Sequence, residues 1–436
     1  MGKIEMQNHV TRFSKAYLVG RIKTNVKPAK LPLTWKNAKL SETEYSTWCR
    51  YYYKSHVDAM VEAESQQRPK FLHNVCHYVL PLYVKGSIGK YQFMVNSVHL
   101  YFFPLGITMV AIEIEDSGNT LNDLTLGHGK LMNWNKTYTY DSFPENVKTA
   151  LSPLAELAPS MNLAQLCSDG NKLKLYQVVN VCPYPDTDMD ALLYELGTSS
   201  PIDCVNGKHH LTPSSEYYQS IIKENKVSTF KDWTALALVD SFTFLSGTLK
   251  DAECTWDEFY VDWNNYYFHL IYLRCIFEKT FCFSRNNAYR SGKSKGNLSR
   301  QIAMMEKFYF YDNISYNFQP RLLYEYMAKG LGIKEEREEI AKQIKEKEEK
   351  NNNLLFGAVS VFAIFSVVYD FYSLIKAWSA KAIFIPSEKE NIDLLPIFNS
   401  TANDSGELPF FAFILSVVAL ILTVSVIWYL KSQRRK

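Results

Sequence analysis

No Ser/His/Asp arrangement, nucleophile elbow or kinase signature occurs in the 436 residues, so the chain does not read as an enzyme. An excess of charge of one sign is also missing. Lys and Arg number 48 against 45 Asp and Glu, a formal +3, which excludes the basic footprint of a general nucleic-acid binder. The eight cysteines lack paired spacing, so no disulfide framework is expected and the thiols read as small, reduced, mostly buried side chains. The amino-terminal stretch has no apolar core of the kind a signal peptide needs, and Met6 stands where a myristoylation motif carries Ser or Thr. The most informative absence is of charge itself: residues 409–430 contain none.

That run and its counterpart at 354–375 are each 22 residues long, and the first of the two carries only Asp370. At 1.5 Å per residue each reaches about 33 Å, enough for a hydrocarbon core of about 30 Å. Both are expected to cross a membrane, as helices over 354–376 and 409–430. Trp428 and Tyr429 close the later run and are followed by Lys431, Arg434, Arg435 and Lys436. Six more basic residues, from Lys334 to Lys350, precede the earlier run, whereas 379–408 holds Lys381 and Lys389 against five acids. The positive-inside rule then places both termini in the cytoplasm and the loop 377–408 outside. The expected location is the inner (plasma) membrane, as a multi-pass protein in contact with the lipid bilayer.

Residues 1–310 read as an α+β cytoplasmic domain. Between Tyr78 and Asp116 the segments YVLPLYVKG, KYQFMVNSV and HLYFFPLGITMVAIEIED are rich in aromatic and β-branched residues, with Gly and Pro at the turns. That pattern predicts an antiparallel meander. LYQVVNVCPY near residue 175 predicts another strand; 214–223, opening on Ser-Ser-Glu, and 256–281 predict helices. Strands and helices without βαβ alternation point to α+β. From Pro320 to Lys350, with Gly330 read as its sole breaker, a stalk helix is expected over 311–353, running into the first span. Its thin apolar stripe calls for partners, so a homo-oligomer of packed stalks is preferred to an isolated solvated helix.

In the first span Ser360, Ala363, Ser366, Asp370 and Ser373 recur at spacings of three and four. A small, polar stripe on one helix face either lines a pore or packs against the second span. Asp370 favours the pore, because an intramembrane carboxylate is costly and in a symmetric oligomer forms an acidic ring that attracts cations. Asp186, Asp188 and Asp190 begin like a calcium loop, but Ala191 and Gly197 occupy the glycine and final glutamate positions. A surface acidic loop is preferred there to a site for a divalent cation such as magnesium. The stretch 285–300 carries Arg285, Arg290, Lys293, Lys295 and Arg300 without an acid, either as a solvated loop or as a cradle for ligand phosphates. His73 and His77 stand at i,i+4 without the glutamate of a zinc protease and read as packing residues.

A large α+β domain, a long charged helix and two C-terminal spans with both ends inside resemble the CorA-like family of divalent-cation transporters and relatives. The resemblance covers about 310 to the end; LYFFPLGITMVAIEIED before it is similar to diverged CorA-like proteins, some of which accompany type III CRISPR systems. Two features depart from the transporters. The triplet Gly-Met-Asn that ends their first span is replaced by the stretch from Asp370 to Trp378, and the outer loop is far longer than theirs. The resemblance implies an oligomeric funnel, a pentamer by analogy, whose first span lines the pore. It implies a channel gated by a nucleotide second messenger in antiviral defence, ahead of magnesium transport and of a non-conducting membrane-anchored sensor.

Overall fold

The computed structural model describes residues 9–22, 28, 31–39, 75–133, 144–157, 173–181, 188–210, 212–229, 233–247, 268–291, 298–310 and 314–382. The second predicted span and most of the predicted outer loop lie outside them. In chain order the elements are β1 (Phe13–Ile22), β2 (Lys36–Asn37), β3 (Cys76–Ile88), β4 (Tyr91–Phe103) and β5 (Ile107–Glu115). Next come α1 (Leu121–Met132), α2 (Glu145–Leu151), β6 (Lys174–Val181), α3 (Met189–Thr198) and α4 (Ser215–Asn225). They are followed by β7 (Lys226–Val227), β8 (Trp233–Ala237), β9 (Ser241–Gly247), α5 (His269–Arg290), α6 (Leu298–Phe308), α7 (Phe318–Gly330) and α8 (Ile333–Ala382).

The predicted meander is present as β3–β4–β5. Ile88 pairs with Tyr91 across a two-residue turn whose first position, Gly89, has φ +63°, the conformation a II′ hairpin asks of glycine. Pro104, Leu105 and Gly106 make the next turn. The remaining strands extend this meander into one mixed sheet, in the order β2-β3-β4-β5-β1-β6-β9-β8-β7. Every adjacent pair is antiparallel except β6 and β9, which run parallel. β3 has β2 beside it only at Tyr78 and Val79, and it bulges between Pro81 and Val84, where Tyr83 takes φ +52°. A bulge at an outer strand twists it away from pairing with another chain.

The sheet is covered on both faces, and the two faces differ in chemistry. Alternation along each strand sends successive side chains to opposite sides. One side gathers an aliphatic core: Leu18 of β1, Val98 and Leu100 of β4, Ile112 of β5 and Leu175 of β6, closed by Leu124 of α1, Val147 of α2 and Leu193 of α3. The other side is aromatic. Tyr17 stacks on His269 at 4.3 Å, Phe103 on Phe277 at 4.1 Å, and Tyr176 meets Tyr272 at 5.8 Å, so α5 lies against this face.

The predicted helix after Ser214 is α4, with the Ser214 hydroxyl accepting from the backbone N–H of Tyr217 as its cap. The predicted helix over 256–281 is α5, which reaches Arg290; its expected first part, 256–267, lies outside the described residues. The single helix expected from Pro320 is two. α7 ends at Gly330, and Gly332, at φ +66°, breaks the chain before α8 starts at Ile333. A left-handed residue cannot sit inside a helix, so this glycine, not Gly330, ends the run. Pro320 is the third residue of α7 rather than its first.

Gly330 has another role. A Cβ there would lie 2.7 Å from the carbonyl carbon and oxygen of Ala237, so α7 seats its last turn directly on the backbone of β8. We expect Gly330→Ala to destabilise the full chain by about 1–3 kcal/mol, because backbone cannot move aside as a side chain would. The fall in denaturation midpoint measures it, and an unchanged midpoint would refute the close approach.

The chain divides into two compact units, Met1–Gln343 and Ile344–Lys436. The first unit thus contains α7, with Leu323, Tyr324 and Met327 buried, and the root of α8, where the sequence predicts a separate stalk helix over 311–353. In the second unit, the window Asn352–Tyr369 of α8 is long and apolar enough to cross a membrane, and none of it is buried.

Candidate functional site

The aromatic face of the sheet holds a polar cluster that five elements assemble. Register places Glu113 of β5 opposite both Ser97 of β4 and Tyr17 of β1, and His77 of β3 opposite Tyr101 of β4. Ser97, His99 and Tyr101 alternate along β4 and therefore share a face. His77 Nε2 lies 2.9 Å from His99 Nδ1, and its ring stacks on Tyr101 at 4.2 Å. His99 Nε2 lies 2.7 Å from the Ser97 hydroxyl and 3.2 Å from Glu113, whose other oxygen accepts from Lys15 Nζ at 2.7 Å. Ser97 also bonds to Glu113. From above, α5 adds His269, whose Nε2 is 3.2 Å from the Tyr101 hydroxyl.

Protonation follows from this geometry. Burial alone would raise the Glu113 carboxyl, but the bond from His99 and the Lys15 ammonium outweigh it and hold it well below the usual carboxylate range. An ionised carboxylate only accepts, so Ser97 donates to Glu113 and the His99 Nε2 carries a hydrogen. His99 Nδ1 then faces His77 as an acceptor while the pair is neutral. Burial first, then the neighbouring imidazoles of His99 and His269, hold His77 well below the ordinary histidine value. The arrangement is a carboxylate–imidazole–imidazole relay. Ser97 is not activated as a nucleophile, because its proton already goes to Glu113 and His99 offers it no lone pair.

The second constellation fastens α8 to the domain. Glu278 of α5 is fully buried and accepts from Arg274 Nε at 2.9 Å, from the Tyr324 hydroxyl of α7 at 3.0 Å and from Arg337 of α8. Arg337 also donates to the Tyr324 hydroxyl at 2.7 Å and lies 4.4 Å from the centre of the Phe310 ring. Burial opposes the Arg274 and Arg337 charges, and Glu278 more than compensates, so both are held above the ordinary guanidinium value. Further along, Asn286 donates to Glu336 at 2.6 Å, Arg290 pairs with Glu339 at 3.1 Å, and Lys279 bonds to the Leu331 carbonyl. Three turns of α5 thus grip the first two turns of α8.

A third polar group is closed inside the aliphatic layer. Asp116 accepts from Tyr91 and from His128, each at 2.6 Å, and His128 Nδ1 meets Gln177 at 2.8 Å. All four are buried, and the arrangement ties α1 to the sheet.

The residues singled out in the sequence are dispersed. Asp188 caps α3, its carboxylate accepting from the backbone of Asp190 and Ala191, and Asp190 pairs with Lys226. Asp186 lies outside the described residues, and among those described no group of three potential ligands gathers around a metal position. Arg285 and Arg290 are helical residues of α5 rather than parts of a loop. Arg285 lies over the Phe281 ring and is lowered by burial and by Arg21, while Arg290 is taken by Glu339. Lys293 and Lys295 lie outside the described residues, as does His73; His77 is on a strand, so the pair does not share a helix. On α8, Ser360, Ala363 and Ser366 are exposed, and the Ser360 hydroxyl donates to the Phe356 carbonyl at 2.7 Å. Asp370 and Ser373 belong to the same helix, and their side chains are outside the described set.

The sequence contained one sign of the first cluster. Ser97 and His99 stand two apart in an otherwise apolar strand, as do Glu113 and Glu115 in the next, which marks one polar strip on a buried sheet. Compared with protein-family models, with the curated proteins and with solved structures, the chain gives no match.

Proposed function

We propose that the chain is a homo-oligomeric membrane channel of CorA-like architecture, opened by a ligand that binds its cytoplasmic domain. One observation carries this reading: α8 is a single helix whose root is held by the buried Glu278 cluster and whose later part is the exposed apolar window Asn352–Tyr369. A movement of α5 would therefore be delivered to a membrane helix without an intervening loop. Ser360, Ala363, Ser366, Asp370 and Ser373 line the pore in this reading, and 409–430 is the second span. The ligand class is a nucleotide messenger, as in CRISPR-linked defence. A ligand shifts the pore only if it binds the open arrangement more tightly than the closed one.

Purified protein in liposomes tests the reading. We expect ion flux that appears with a nucleotide messenger and is absent without it, and Asp370→Asn is expected to lower cation conductance without preventing assembly. Flux governed by magnesium alone would return the chain to cation transport. No flux under any ligand would leave a membrane-anchored sensor.

A further inference from the structure

We infer that the imidazole pair of His77 and His99 is an acid-sensitive latch that holds the first turn of α5 on the sheet. Two imidazoles facing each other at 2.9 Å need one N–H and one lone pair between them. The pair can hold one additional proton and keep one N–H and one lone pair between the rings. A second proton puts donor against donor, and the contact breaks.

The titratable and charged groups facing the pair, among the described residues, come from β1, β4, β5, β6 and α5, and Lys36 of β2 shares their face of the sheet through its pairing with Val79. They are His99 and Tyr101 of β4, Glu113 of β5, Lys15 and Tyr17 of β1, Tyr176 of β6 and His269 of α5. Glu113 is the sole acid among them, and Lys15 already pairs with it. The cluster therefore has no spare anion to neutralise a charged His77. His77 is on β3, one strand in from the end of the described sheet, and the residue as a whole is partly exposed although its ring is packed in the cluster.

Loss of that ring removes the stack under Tyr101, and the Tyr101 hydroxyl is what His269 holds at 3.2 Å. His269 opens α5, and Glu278 and Asn286 of the same helix grip α8, while Lys279 holds the Leu331 carbonyl just before it. Acid would thus loosen the end of α5 that is seated on the sheet. Its use as a regulator rests on the channel reading; the latch itself does not.

The sign follows from linkage. The unfolded chain protonates this histidine near pH 6.5 and the folded chain only at lower pH. Between the two the unfolded state binds more protons, so the folded-to-unfolded ratio falls as pH drops, up to about tenfold per pH unit.

The experiment uses the full chain in detergent micelles, where ion flux plays no part. Melting is followed from pH 7.5 to 5.0, and amide exchange over 268–277 is compared at the two ends after correction for intrinsic rates. We expect melting to fall below about pH 6.5 and exchange of this segment to quicken in acid. His77→Gln and His77→Phe, the second keeping the ring on Tyr101, should flatten the slope, and His210→Gln, at an exposed position, should leave it. A wild-type slope retained in the folded His77 variants overturns the latch. Unchanged exchange over 268–277 in the unmodified chain overturns it as well, and that measurement needs no variant to fold.

Discussion

Glu278→Ala is expected to cost the full chain about 3–5 kcal/mol, the loss typical when one partner of a buried ion pair is removed and its charge is stranded. Glu278 is wholly enclosed, and Arg274, with 3 % of its side chain exposed, has no route to water when the carboxylate is gone. Arg337 is better placed, at 21 % exposed, and can turn outward. Arg337→Met should therefore cost clearly less than Glu278→Ala, since it leaves Arg274 and Glu278 still paired. A double-mutant cycle between Glu278 and Arg337 would then return a coupling of about 0.5–3 kcal/mol. Urea denaturation of the detergent-solubilised protein gives all the terms. A loss under about 1 kcal/mol for Glu278→Ala would mean that both guanidinium groups reach solvent and that the grip on α8 is weak.

The other large effect concerns the apolar part of α8. Val359 and Phe362 lie near the centre of the window Asn352–Tyr369 and are 56 % and 75 % exposed. Arginine at the centre of a membrane helix costs about 2.5–3.5 kcal/mol per residue, so Val359→Arg with Phe362→Arg is expected to disfavour insertion by about 5–7 kcal/mol. The readout is the side on which the following loop lies. A reporter cysteine introduced as Ser400→Cys should react with an impermeant maleimide in intact spheroplasts, and the added arginines should abolish that labelling. Glu346→Arg with Glu349→Arg, before the window, should preserve it. Equal labelling in the arginine pair and its parent would remove 354–376 from the membrane.

Much of the fold of the first unit could be read from local chemistry. The meander stands because Tyr91 to Phe103 and Ile107 to Glu115 are dominated by residues that suit a pleated, buried surface, with glycine and proline between. The cap at Ser214 was similarly local. What could not be read was the polarity around α5. Arg285 and Arg290 resemble loop residues by charge, yet Phe281, Cys282 and Asn286 give the same turns a buried side. A glycine two residues past the expected breaker decided where α7 ends, and only its backbone angle shows that. The histidine cluster was hidden for a different reason. Its members span Lys15 to His269, so pairing register, not sequence proximity, brings them together.

The place of β1 in the sheet has a consequence for how the protein is made. β1 is the middle strand of nine, with β2, β3, β4 and β5 on one flank and β6, β9, β8 and β7 on the other. Among the described strands, a cut into 13–22 would separate two four-stranded halves. Synthesis also delivers this middle strand before either of its neighbours. Its partner at 107–115 follows much later, and the partner at 174–181 later still. Until residue 181 has been made, the nascent chain carries a strand of ten residues that cannot yet be enclosed on both edges. Pairing over so long a separation is slow and leaves hydrophobic surface open in the meantime.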